Sequence, residues 1–258
     1  MNRKSIKERA RILRCLVEGN SIRATARLND CVPGTVLRLL KDVGFRCLEY
    51  QYNYMTDLKC RHIELDEIWA FVLKKKRLLD RRDTSGDIWT YIGICRECKI
   101  VPYWHIGPNN SLNTELFLAG LIWRLSDGVS LYTDGNVSYI DAIDKVSRNC
   151  RTNHAMLIKH HSSKKLRLRK LVIHGDIIKD QISTSSVERH NLTLRMSSRR
   201  FTRKTNGFSK NLEYHRYALG LHFMYYNFVR VHRSLDTTPA CRSGIMDREW
   251  TLVDLLNL

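Results

Sequence analysis

The sequence predicts an α/β protein: a mixed five-stranded sheet flanked by helices, preceded by an all-α helix-turn-helix domain. Three observations carry this. Residues 62–106 hold three runs rich in β-branched and aromatic side chains, separated by short turns. Helical periods then alternate with two further apolar runs, the order of an α/β domain with a mixed sheet. The first 45 or so residues carry three short helical patterns with their own start signals. The organisation expected is a helix-turn-helix domain over 1–47, a linker over 48–60, the α/β domain over 61–230 and a tail over 231–258.

Ser5 and Glu8 have capping-box spacing, and Ile6, Ala10, Leu13 and Val17 form an apolar stripe ending near Gly19. Ser21 caps a second helix, Ile22 to Leu28. Pro33 suits the first turn of a third, Pro33 to Asp42, which Gly44 would end. Val36, Leu39 and Leu40 would face inward, leaving Thr35, Arg38 and Lys41 for a major groove. Small three-helix bundles without DNA share this pattern.

The stretch His62 to Val72 reads as the first strand of the sheet, yet Glu64, Asp66 and Glu67 fall within four positions. Acids are poor strand formers and costly in a core. Glu64 and Asp66 share one face, Leu65 and Glu67 the other. A carboxylate carried into a buried sheet suits a cation; an edge strand with one solvated face fits the same residues. Ile88 to Ile94 and Ile100 to Ile106 complete a three-stranded meander. A helix over Ser111 to Leu125 packs on it. The short strand Ser130 to Thr133 ends in Asp134-Gly135, and beside the first strand it would bring Asp134 near Asp66. A helix over Ser138 to Val146 leads to a fifth strand around Ala155 to Ile158.

Residues 161–210 carry thirteen Lys or Arg against three acids, out of a whole-chain net charge of +18. Such a run is commonly a solvated face, but its density exceeds what solubility needs and suits phosphate. Within it a helix opens at Ser185, with Ser185 as its cap. Glu188, Asn191 and Arg195 share its polar face, and Leu192 turns toward a core. A lone acid near a helix start is ordinarily dipole compensation; the other acids give Glu188 its interest. A buried helix over Leu212 to Arg230 follows.

No stretch of about 18 apolar residues suggests a membrane span, and the N-terminus leads into an amphipathic helix rather than a signal-peptide core. A cytosolic chain is expected (nuclear as well in a eukaryotic host), with no membrane partner. Among eight cysteines only Cys95 and Cys98 are close; they have the spacing of half a zinc site, with Cys60 and His62 upstream. With no second Cys-x-x-Cys, buried or spectator thiols are the expectation.

Three acids on two strands and a helix in a basic chain make physical sense as a divalent-metal site, since Mg²⁺ prefers carboxylate, water and phosphate oxygens. Several motifs then resemble those of the insertion-sequence-one family of Asp-Asp-Glu transposases: Leu65-Asp66-Glu67-Ile68-Trp69, Tyr132-Thr133-Asp134-Gly135, Val187 to Arg195, Arg203 to Lys210, and His232 to Ala240. The resemblance spans roughly Leu65 to Ile245. It implies a ribonuclease-H-like fold, and it implies that Asp66, Asp134 and Glu188 are catalytic ligands of two Mg²⁺ ions, with Mn²⁺ able to substitute. Arg195 would hold DNA, supported by Asn191, with Arg203 and Lys204 in the basic stretch beyond. The reaction implied is cleavage at transposon ends and joining of their 3′-hydroxyls to target DNA without a covalent intermediate, by a homodimer or higher oligomer. A cleavage-silent DNA-binding regulator and a ribonuclease-H-like nuclease without strand transfer remain as alternatives.

Overall fold

The computed structural model describes residues 4–73, 86–126, 128–147, 151–161, 166–202 and 205–258. Its contacts group into two compact units. One comprises Met1–Met55, Trp69–Asp87 and Leu192–Leu258; the other comprises Thr56–Ile68 and Ile88–Asn191.

In the first unit, α1 (Ile6–Val17) starts with the capping box of Ser5 and Glu8, and Ser21 caps α2 (Ile22–Leu28). The third helix differs from expectation. α3 runs from Pro33 to Tyr54, so Gly44 lies mid-helix and residues 48–54 of the expected linker are its last turns. Val36, Leu39, Leu40, Val43 and Cys47 are all buried, and this stripe continues across Gly44. A helical glycine costs about 1 kcal/mol relative to alanine; here it permits close packing. A Cβ at Gly44 would lie 2.7 Å from the Tyr217 carbonyl oxygen and 2.8 Å from its Cα, on α7 (Leu212–Met224). Gln51 ties the same helices together, donating to the carbonyls of Cys47 (2.9 Å) and Gly220 (3.1 Å). Beyond α7 the chain makes a π-helical turn, Tyr225–Val229, instead of the α-helix expected to Arg230. The tail carries α8 (Pro239–Ser243), closed by Gly244 in the left-handed region, and α9 (Leu252–Asn257), opened by a Thr251–Asp254 capping box.

Among the described residues the sheet has six strands, not the five expected, in the order β3-β2-β1-β4-β5-β6. The strands are β1 (His62–Val72), β2 (Gly86–Cys95), β3 (Tyr103–Gly107), β4 (Val129–Thr133), β5 (Thr152–His161) and β6 (Leu166–His174). β6 is the addition. It pairs antiparallel with β5 at the sheet edge, where Arg167 and Arg169 are exposed and Val172 packs on the core around Tyr132 and Leu157. β1 and β4 are parallel, as are β4 and β5, while β2 and β3 are antiparallel. The sheet is therefore mixed. Helix α4 (Ser111–Ile122) crosses from β3 to β4, and α5 (Ser138–Val146) from β4 to β5. α6 (Ser185–Ser197) follows β6.

Candidate active site

The register between β1 and β4 sets the site. His62 pairs with Ser130, Ile63 with Leu131 and Glu64 with Tyr132. Continued along both strands, the same offset sets Asp66 opposite Asp134, just past the end of β4. Asp134 Oδ1 accepts from the Asn136 N–H at 2.9 Å, a turn that delivers the chain into α5. A cavity of about 340 Å³ is lined by Asp66, Asp134, Gly135, Lys159, Thr184 and Glu188, with Leu65, Leu157 and Ile158 as its apolar wall. The acids expected together thus line one cavity. Among the described residues, no three acidic side chains bring their oxygens within 4.8 Å of one another.

Asp66 is deeply seated. Its Oδ1 accepts from the Glu67 N–H at 2.9 Å and its Oδ2 from Asn191 Nδ2 at 2.7 Å. Burial, with repulsion from Asp134 and Glu188, raises its carboxyl from 3.8 to about 6 despite those hydrogen bonds. Such a site is short of positive charge, and hard oxygen donors around a cavity suit Mg²⁺ or Mn²⁺. Glu188, on the first turns of α6, accepts from Lys159 Nζ on β5 and from Thr184 Oγ1.

The two neighbouring acids have other work. Glu64 is fully buried and accepts from the backbone N–H groups of Ser186 (2.6 Å) and Val187 (3.1 Å) and from Arg96 Nε (3.0 Å). A carboxylate from β1 therefore caps α6 and meets the positive end of its dipole. Ser185, expected as the cap, instead donates its own N–H to Ser183 Oγ at 3.1 Å. Arg96 also donates to the Gln181 carbonyl at 2.7 Å, bracing the approach to α6. Glu67 lies against Tyr139 of α5, outside the cavity, and burial lifts its carboxyl to about 7.

Two expectations about α6 are corrected. Asn191, expected on the polar face with Glu188 and Arg195, is buried, and its amide holds Asp66. Leu192, expected in a core, is 45% exposed, while Val187, His190, Asn191 and Leu194 form the inward stripe. The inward face of the helix carries a polar side chain because Asp66 needs a donor there. Arg195 is half-buried in the last turn of α6. On α3, Arg38 and Lys41 are exposed and Thr35 is half-buried, on the side away from Val36, Leu39 and Leu40. Arg203 and Lys204 lie outside the described residues. Glu64, Arg96, Lys159 and Thr184 were not anticipated. Glu64 alone left a signal, an acid on the strand face of Asp66.

Fold and site together define a class: a mixed-sheet α/β protein whose acids line a cavity where β4 ends beside the middle of β1. Within that class the resemblance read from the motifs holds. Residues 153–229 match the family model described as IS1 transposase, a segment that takes in Glu188, Asn191 and Arg195 and leaves Asp66 and Asp134 outside. No curated protein matches the sequence. Solved structures similar to the chain include a Mos1 transposase paired-end complex with left transposon end, at 13% identity over 59% of this chain and 60% of that one, TM-score 0.25. A Mos1 mariner paired end complex with Mn is 14% identical over 59% of this chain and 60% of that one, TM-score 0.24. A Mos1 Strand Transfer Complex is 15% identical over 86% and 76%, TM-score 0.27. The chain thus spans 60% of the length of the first two.

Proposed function

We propose that this chain is a DNA transposase that cleaves transposon ends and joins their 3′-hydroxyls to target DNA. The observation that supports this most is the β1–β4 offset, which opposes Asp66 to Asp134 beside a cavity that Glu188 also lines. In this reading the three carboxylates hold two Mg²⁺ ions, with Mn²⁺ as a substitute. Bound there, the ions supply Lewis-acid stabilisation of charge on the attacking and leaving oxygens of an in-line displacement.

The chain's own residues position these ligands. Asn191 fixes the Asp66 carboxylate, the Asn136 turn fixes Asp134, and Glu64 fixes the helix bearing Glu188. Lys159, half-buried beside Glu188 at the cavity, offers an ammonium to a DNA phosphate. Arg195, with Arg203 and Lys204 in the same basic stretch, binds the DNA backbone, while Thr35, Arg38 and Lys41 on α3 form a second contact through a helix-turn-helix. Two transposon ends must be held together, so the working form is at least a homodimer. No described helix is long and apolar enough to cross a membrane.

The test is cleavage of a labelled element end in Mg²⁺. Asp66→Asn, Asp134→Asn and Glu188→Gln should each abolish cleavage while DNA binding persists. Cleavage retained by any of them removes that residue from the site.

A further inference from the structure

Three thiols that are scattered in sequence meet in space. Cys60 precedes β1, Cys95 ends β2, and Cys98 lies in the tight turn toward β3; all three are buried. The strand pairing brings them together, because the Arg96 N–H donates to the His62 carbonyl at 2.9 Å and so draws the start of β1 to the end of β2. The three sulfurs lie within 4.8 Å of one another. Tetrahedral zinc, with Zn–S bonds of about 2.3 Å, holds sulfurs roughly 3.8 Å apart, so a closure of about 1 Å suffices.

The turn is shaped for thiolates. It closes through the Lys99 N–H on the Cys95 carbonyl at 3.0 Å, with Lys99 in the left-handed region at φ 59°. The Cys98 N–H near the Cys95 sulfur and the Ile100 N–H near the Cys98 sulfur each favour the thiolate. Backbone donors aimed at sulfur stabilise the deprotonated form that a metal needs. Glu97 lies beside the cluster: its Oε2 accepts from Cys95 Sγ at 3.1 Å and its Oε1 meets His62 Nδ1 at 2.5 Å.

We propose that Cys60, Cys95 and Cys98 bind one zinc ion, a structural site separate from the carboxylate cavity, with the fourth position filled from solvent or by Glu97. Soft thiolates select zinc over the hard cations that suit Asp66 and Asp134. The site would clamp the entry of β1 to the β2–β3 turn. That turn carries Arg96, which grips Glu64, and Glu64 in turn holds the N-terminus of α6. Zinc would thereby stiffen the scaffold beneath the acids without touching their cavity.

The measurement is the metal content of the purified full chain after dialysis against EDTA, with cobalt exchange as a second readout. The expected result is about one zinc per chain and, in the cobalt form, a thiolate-to-cobalt charge-transfer band of the intensity three thiolates give. Cys60→Ser, Cys95→Ser and Cys98→Ser should each lose the metal, while Cys47→Ser and Asp66→Asn keep it. Should a serine variant not fold, the cobalt spectrum of the unaltered chain decides alone. A metal-free chain whose thiols react freely, a Cys95–Cys98 disulfide in place of metal, or zinc retained by all three serine variants would each overturn the proposal.

Discussion

Asp66→Asn should make the metal-free chain more stable at neutral pH. Asp66 is held at about 6, against 3.8 for an ordinary aspartate, chiefly by burial. The folded chain thus holds the proton more tightly than the unfolded one. Stability is fullest below 3.8 and falls as pH rises toward and past about 6, because the unfolded carboxyl ionises first. A difference of roughly two pH units corresponds to about 3 kcal/mol lost once the group is ionised in both states. The asparagine amide avoids that loss. It mismatches one of the two donors that face the carboxylate, Asn191 Nδ2 and the Glu67 N–H, at about 1 kcal/mol. The net gain is about 2 kcal/mol near pH 7.5, with no gain near pH 4. In urea unfolding followed by tryptophan fluorescence, a slope of about 3 kcal/mol/M makes this a midpoint shift of roughly 0.7 M. Mg²⁺ should then stabilise the unaltered chain and not the variant. A variant less stable near pH 7.5 (~2 kcal/mol in the wrong direction) would refute the assignment of Asp66 as a buried carboxylate short of positive charge.

Three further outcomes follow from single residues. Glu64→Gln should destabilise the chain by about 2–3 kcal/mol, since it weakens charge-assisted bonds to Ser186, Val187 and Arg96; a neutral effect in urea unfolding would mean that Glu64 does not anchor α6. Gly44→Ala should cost about 1–3 kcal/mol despite alanine's better helix propensity, because its methyl meets the Tyr217 backbone. An increase in thermal midpoint would show that α3 and α7 are not so closely packed. Arg195→Ala should weaken DNA binding and reduce the salt slope by about 1, and an unchanged slope would leave Arg195 as a solvated helix residue.

The sequence disclosed most where a residue's local period and its tertiary task agree. Asp66 and Asp134 were legible because one interrupts a strand pattern and the other closes one, and parallel pairing of β1 with β4 brings the two together. α3 was cut short because Gly44 looks like a helix terminator from sequence. Its missing Cβ instead serves a neighbour 173 positions along the chain, Tyr217, which no local pattern announces. β6 was hidden by its composition: alternating Leu and Arg at a sheet edge, with Leu168 exposed, reads as charged surface rather than as a strand. Asn191 was placed on the wrong face because polar helix residues are expected outward, whereas a buried carboxylate draws a donor inward. Cys60 stands upstream of Cys95 and Cys98 in the sequence, but with no second Cys-x-x-Cys nothing there joins the three; the pairing of β1 with β2 does so.

The most direct test mixes the purified chain, Mg²⁺, a labelled element end taken from the DNA flanking the gene, and a supercoiled plasmid. Labelled ends covalently joined to the plasmid through their 3′-hydroxyls, and absent with Asp66→Asn, are the outcome expected of a transposase. Ends cut but never joined, or bound and never cut, would contradict it.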